Sequence, residues 1–271
     1  MQIQMVTFSA AKDGNAPGEW QDGACGGVAA DGSWARFLVL DGATTAYDPV
    51  RWVDQLVRSF APPAGGSGGS RLPRLEPAAM RAWFAEMQDQ WAAEARDFDS
   101  IIEERKFAEV GSFATLLGFD IYGLDGPEPY WRGVALGDTV LFHVRAGHLI
   151  AAFPPMGPDD FGTLPDGVHT SPASLERMTE RLLTGGGALE AGDFLFAATD
   201  AMAQWILRTI ERGEAKVWDT LTTLAHPDVF ARLIEDQRRE QDSAKRMKND
   251  DVTLMRLRML AGQPAYLLAC R

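Results

Sequence analysis

Apolar residues along this chain fall into two kinds of run. Short, nearly continuous stretches rich in β-branched and aromatic residues occupy 35–40, 131–136, 139–144, 149–153, 194–199 and Val252–Leu260, and each predicts a buried strand. The pair 139–144 and 149–153, separated by Arg145-Ala146-Gly147-His148, predicts a hairpin. Elsewhere the apolar positions recur every three or four residues. Pro49–Phe60 puts Val50, Val53, Leu56, Val57 and Phe60 on one helical face, and 77–98 does the same with Met80, Trp83, Phe84, Met87 and Trp91. Pro77 suits a first helical turn. Two more amphipathic helices are predicted over 203–212 and 227–237. Strands gathered after helices, without regular alternation, predict an α+β fold with antiparallel sheets.

Between the first two helices, 61–70 is built from Ala, Pro, Gly and Ser, the composition of a flexible surface loop. No internal repeat is evident, and residues 1–271 read as a single domain containing that loop. Apolar residues make up 46% of the chain, enough for a full core. No apolar run reaches the roughly 18–20 residues of a membrane helix. Residues 1–11 lack the basic start and apolar stretch of a signal peptide. Cys25 and Cys270 are far apart and in no CxxC pair, which argues against a disulfide framework or a zinc site. Together these features describe a cytoplasmic protein of bacterial type with no membrane partner.

A net charge of −12 argues against a nucleic-acid surface. It also constrains phosphate chemistry, because an acidic site repels anions unless bound cations reverse the local sign. Three carboxylates share one context. The run Phe37-Leu38-Val39-Leu40 ends in Asp41-Gly42, the run 194–199 ends in Asp200, and Asp250-Asp251 precedes the last strand. A strand edge gives each a rigid backbone and a side chain free to reach a pocket. Converging, they would form an oxygen-only site suited to magnesium or manganese. Gly42 would let its backbone carbonyl approach a metal. Taken singly, each Asp is more often a turn or cap residue than a ligand.

Other chemistry is weaker. His143, His148, His169 and His226 show no i, i+4 ligand spacing and read as core or surface residues. Gly185-Gly186-Gly187 has no Lys-Ser/Thr after it, which excludes a Walker loop and predicts a hinge or turn. The helical Trp and Met residues read as core. Asp138 and Asp193 read as turn formers, Asp138 with a further option of touching an outer metal shell. The mixed charges over 235–248 read as a solvated face or loop, and 154–172 as an irregular segment able to shape access to a site.

In order along the chain, these pieces resemble the metal-dependent Ser/Thr protein phosphatases of type 2C in their bacterial form. Gln21-Asp22-Gly23-Ala24 is similar to that family's Asn-Gln-Asp-Ala, and Leu40-Asp41-Gly42 to its metal-bridging Asp-Gly. Gly111-Ser-Phe-Ala-Thr115-Leu-Leu resembles Gly-x-Thr-Thr-Leu, and Leu136-Gly137-Asp138-Thr139 the Gly-Asp-Ser turn. Gly192-Asp193 through Thr199-Asp200 resembles Gly-Asp-x-x-Leu-Leu-x-Thr-Asp-Gly, and Asp250-Asp251-Val252-Thr253 resembles Asp-Asn-x-Thr. The resemblance implies an antiparallel β-sandwich flanked by helix pairs, in four layers αββα. It implies two divalent ions, manganese or magnesium, bridged by Asp41, with Asp200 and Asp250 completing one site and Asp22 and the Gly42 carbonyl the other. Water held between the ions would hydrolyse phosphomonoesters of a phosphorylated protein, with a Ser/Thr kinase as the opposing partner; a small phosphorylated substrate is a further option.

Departures from the family pattern are informative. Pro17 stands where many members place a phosphate-binding Arg, leaving nearby Lys12 as the candidate substrate-binding cation. The glycines after Asp41-Gly42 are Ala43-Thr44-Thr45, Ala201 follows Asp200, and Asp251 replaces the Asn. These changes favour the alternative of a pseudophosphatase that binds phosphoproteins without turning them over, whereas retention of Asp22, Asp41, Asp200 and Asp250 favours the enzyme, which is the leading reading.

Overall fold

The computed structural model describes all residues except 17–18, 30, 61–72, 95, 163–164, 215 and 271, and leaves the side chains of 268–270 undescribed. The predicted loop 61–70 therefore lies outside the described residues. Thirteen described strands follow in chain order: β1 Gln2–Ala10, β2 Gly23–Val28, β3 Trp34–Leu40, β4 Phe113–Ala114, β5 Leu116–Tyr122, β6 Tyr130–Leu136, β7 Val140–Arg145, β8 His148–Phe153, β9 Val168–His169, β10 Leu183–Ala188, β11 Phe194–Ala198, β12 Val252–Leu260 and β13 Ala265–Cys270. The helices are α1 Pro49–Phe60, α2 Pro77–Ala93, α3 Ile101–Glu109, α4 Leu175–Arg181, α5 Asp200–Glu211, α6 Val217–Thr223 and α7 Pro227–Arg238. One sheet has the order β13-β1-β12-β11-β7-β8 and a second β10-β6-β5-β3-β2, while β4 and β9 form a small separate pair. Every pairing is antiparallel except β1 with β13.

Alternation along the strands explains the layering. Phe37 and Val39 of β3, Leu117 and Phe119 of β5, Leu195 of β11 and Met255 and Leu257 of β12 fill one shared core between the sheets. Leu38 and Leu40 point the other way, onto Trp52, Phe60, Trp83 and Trp91 of α1 and α2. On the far side Phe142, Phe196 and Leu254 pack against Met202 and Ile206 of α5, Trp218 of α6 and Phe230 of α7. The result is the expected α+β sandwich with helices on both outer faces.

Several elements differ in detail from the sequence reading. On α1 the buried face carries Trp52 where Val50 was expected, and Val50 is exposed. The helix predicted over 77–98 stops at Ala93, and a separate helix, α3, begins after Ser100, whose hydroxyl accepts from the Glu103 backbone N–H at 3.2 Å. The hairpin turn is Ala146-Gly147, both with positive φ, as a tight two-residue connection demands. Asp193 does form a turn, accepting from the Glu190 N–H, and it also binds His143 and Arg145. Burial opposes ionisation of its carboxyl, yet Arg145 and His143 hold it below the usual range. Among the described residues no helix is long and apolar enough to cross a membrane.

The glycine run 185–187 is not a hinge or turn. It lies inside β10, paired with Gly133, Arg132 and Trp131 of β6. A Cβ at Gly185 would sit 2.6 Å from the Phe153 ring, and one at Gly187 would sit 2.8 Å from the Trp131 indole nitrogen. Close approach of aromatic side chains to the backbone, not flexibility, requires glycine here. Gly185→Ala should therefore destabilise the protein by about 1–3 kcal/mol in urea denaturation. An unchanged midpoint would return these residues to the role of a passive connection.

Candidate active site

Strand register gathers the motif residues at one end of the sandwich. Gly23 of β2 pairs with Leu40 of β3, and Val39 with Leu117 of β5, so Asp22, Asp41 and Thr115 leave their strands at the same end. In the other sheet Ala198 of β11 lies between Val140 of β7 and Leu254 of β12, which brings Asp138, Asp200 and Asp250 to that end as well. A cavity of about 320 Å³ opens there, lined by Asp41, Gly42, Asp138, Asp200, Asp250, Lys12 and Lys248 among others. Gly162 and Pro165 form part of its wall, so the irregular segment does shape access. A larger groove, about 750 Å³, lies between α1 and α2 and holds no motif residue.

Backbone contacts fix the carboxylates. After β3 the chain is tied to the residues entering β5: Thr115 N–H donates to the Asp41 carbonyl at 2.8 Å, and Asp41 N–H donates to the Thr115 hydroxyl at 3.2 Å. Gly42 lies so close to the segment carrying Asp22 that a Cβ would approach the Gln21 carbonyl to 2.5 Å. Its lack of a side chain thus seats Asp22 behind Asp41. Asp22 is buried, and its Oδ2 accepts from the hydroxyls of Thr253 at 2.8 Å and Thr199 at 3.1 Å. Asp200 is the first residue of α5, not simply the end of a strand, because Thr199 takes the cap position.

Asp251 explains one departure from the family pattern. Its two oxygens accept from the backbone N–H groups of Lys12 and Gln21, each at 2.8 Å. An Asn there has a single acceptor oxygen and would leave one N–H unpaired. Asp251 thus holds the Lys12 and Asp22 segments against the start of β12.

Electrostatically the site is starved of positive charge. Burial pushes the Asp41 carboxyl well above its usual range, and repulsion from Asp22, Asp200, Asp138 and Asp250 adds to the shift. Asp22 is raised in the same way, by burial first and then by Asp251 and Asp200, against its threonine hydrogen bonds. Asp138 is pushed up to about 7 by burial and by Asp200. Asp22 Oδ1 and Asp138 Oδ1 are buried without a hydrogen-bond partner among the described residues.

Lys248 supplies the local countercharge, and sequence reasoning missed it inside a stretch read as solvated. Its ammonium donates to Asp200 Oδ2 at 2.6 Å and lies 2.8 Å from Asp250 Oδ2. Burial works against the charge, but the two carboxylates hold the ammonium protonated above the ordinary lysine range. Lys12 Nζ lies farther off, 4.0 Å from Asp250 Oδ1.

Whether these residues suit divalent ions has a divided answer. All the donors are oxygen, two buried oxygens lack partners, and negative charge is in excess, as a hard cation requires. Yet among the described residues no three His, Cys, Asp or Glu side chains already stand in an arrangement that could hold a metal ion. On the Asp22–Asp41 side the chemistry fits a cation. On the Asp200–Asp250 side Lys248 already holds both carboxylates.

No family model matches the sequence, and no curated protein matches it. The fold does match solved structures. A bacterial serine phosphatase superposes with a TM-score of 0.59 at 10% identity, covering 96% of this chain and 98% of that one. The S. agalactiae serine/threonine phosphatase gives 0.55 at 13% identity, covering 95% and 99%. PppA, described as a regulatory component of the type VI secretion system in Pseudomonas aeruginosa, gives 0.53 at 15% identity, covering 95% and 98%. The chain therefore has the fold of the bacterial serine/threonine phosphatases.

Proposed function

We propose that this chain, built on the serine/threonine phosphatase fold, is a metal-dependent phosphatase that hydrolyses phosphoserine or phosphothreonine of a protein partner. The observation that carries the proposal is the gathering of Asp41, Asp138, Asp200 and Asp250 around one cavity, with Asp22 buried behind them. Manganese or magnesium would be held by Asp41 together with Asp22 and the Gly42 carbonyl on one side, and Asp200 and Asp250 on the other. Such an ion, when bound, acidifies water and offsets charge on phosphoryl oxygens.

The chain's own residues contribute position and charge. Thr199 and Thr253 aim the Asp22 carboxylate through their hydroxyls, and Thr115 fixes the backbone of Asp41. Lys12, at the cavity wall, supplies a point charge for the phosphoryl group in place of a bidentate Arg. Residues 1–271 would act as one unit, opposed in the cell by a Ser/Thr kinase.

The test is hydrolysis of an aryl phosphate by metal-loaded protein. Turnover that requires manganese supports the proposal, and undetectable turnover in folded, metal-loaded protein rejects it. Lys12→Ala should raise KM about tenfold with a smaller effect on kcat, equivalent to about 1.4 kcal/mol of lost phosphate binding. Unchanged KM and kcat would remove Lys12 from the substrate site.

One observation favours a second reading. The ion pairs of Lys248 with Asp200 and Asp250 satisfy carboxylates that a phosphatase of this fold would give to metal. A regulatory phosphoprotein-binding module with little or no turnover is the reading that follows, and the same assay separates the two.

A further inference from the structure

Lys248 is not a wandering surface lysine. The preceding Met247 is buried, and its N–H donates to the Gln237 carbonyl at 3.0 Å. Two residues later, the Asp250 carbonyl is gripped by the guanidinium of Arg238, which also donates to the Ala11 carbonyl and to Asp13. Asp250 N–H in turn donates to the Lys248 carbonyl at 3.2 Å. The backbone of Lys248 is thus held on both sides, and its ammonium is delivered to one spot.

At that spot it meets two carboxylate oxygens at 2.6 and 2.8 Å, the lengths of charge-assisted hydrogen bonds. The Asp200 side chain is only 10% exposed and that of Asp250 24%, while the Lys248 side chain is 46% exposed, so the pair is shielded from solvent on its carboxylate side. Lys12 reaches Asp250 as well, and neither lysine pairs with Asp41. Positive charge from the protein is therefore concentrated on one half of the carboxylate cluster. Two buried carboxylate oxygens stay without a partner among the described residues, Asp22 Oδ1 on the other half and Asp138 Oδ1 near Asp200.

We propose that Lys248 is a resident cation that takes the place of one divalent ion. Its ammonium neutralises Asp200 and Asp250, and a metal ion is loaded only on the Asp22–Asp41 side. A divalent ion entering the other side must displace the ammonium and break both of its charge-assisted bonds. The inference rests on the metal-dependent reading of the cavity and narrows it from a symmetric pair of ions to an ion and a lysine.

The experiment is metal stoichiometry, measured by equilibrium dialysis of stripped, full-length protein against manganese followed by elemental analysis. Lys248→Met keeps the aliphatic stem and removes the charge, so it should bind one more equivalent of manganese than wild type. Lys248→Arg, which keeps the charge, should retain the wild-type value. Lys248→Gln serves as the neutral variant if the Met protein does not fold, as judged by circular dichroism. Equal stoichiometry in wild type and the neutral variants, at whatever value, overturns the proposal. Aryl phosphate turnover by the same wild-type sample decides the phosphatase reading separately. Extra metal without turnover upholds the lysine and rejects the enzyme; turnover with unchanged stoichiometry does the reverse.

Discussion

Asp41→Asn should abolish manganese-dependent hydrolysis while making the metal-free protein more stable. Asp41 lies at the centre of the carboxylates, with its carboxyl raised by burial and by four neighbouring aspartates. If it holds the metal, removing its charge should lower kcat/KM by roughly 10³-fold or more, about 4 kcal/mol of transition-state stabilisation. Without metal, that charge only repels. A carboxyl whose pKa is higher folded than unfolded favours the folded state most at low pH, and that contribution is lost as pH rises through the folded pKa. At neutral pH the Asn variant escapes the repulsion and should gain about 1 kcal/mol or more, a rise of ~2–4 °C in melting midpoint for a chain of this size. The gain should vanish as pH falls towards the ordinary carboxylate range near about 4. Melting curves of stripped protein at neutral and acidic pH, together with the aryl phosphate assay, check both halves. Asp200→Asn should show no comparable gain in stability, because it strips a partner from Lys248. Full activity in Asp41→Asn would remove this residue from the chemistry.

A second large effect is expected far from the cavity. Arg36 on β3 and Asp120 on β5 are register partners on the helix-facing side of their sheet, and both are almost completely buried. Arg36 Nε and Nη2 donate to the two Asp120 oxygens at 2.7 and 2.8 Å, and the Tyr122 hydroxyl donates to Asp120 Oδ2 at 2.8 Å. The guanidinium also lies 4.8 Å from the Phe60 ring centre and 5.1 Å from that of Trp34. Asp120→Ala leaves a buried guanidinium without its anion and should destabilise the protein by about 3–5 kcal/mol. That corresponds to a fall of roughly 6–20 °C in melting midpoint. The double change Arg36→Met with Asp120→Leu should recover most of the loss, because apolar replacement of a buried pair is often neutral. A midpoint unmoved by Asp120→Ala would show that the pair contributes no stability. Recovery by the double variant would show that the single-variant loss came from an isolated charge.

Much of this fold was legible in the chain. Strongly periodic or continuous apolar runs gave α1 and β12 with their observed limits, and β3, β6, β7, β8, β11 and α7 to within a residue or so. Elements with mixed composition were harder to see. β1 alternates Gln and Thr with apolar residues, half of β10 is glycine, and α3 is rich in charge with no buried residue. Their structure depends on partners: β1 is paired on both sides by the two C-terminal strands, and β10 rests on aromatic rings.

The candidate site divides along the same line. The chain pattern placed Asp41, Asp200 and Asp250 at strand ends, because apolar runs stop at or begin beside them; Asp22 came only from the family resemblance, and Asp138 read first as a turn former. Packing of distant segments set what surrounds each carboxylate. Asp251 became a clamp between two backbone N–H groups, Asp22 sank behind the cavity under two threonine hydroxyls, and Lys248 came to rest between Asp200 and Asp250. A sequence pattern records local periodicity, so it marks where a side chain leaves a strand. The electrostatic state of that side chain depends on charges within a few ångströms, which here are brought together from opposite ends of the chain by sheet register.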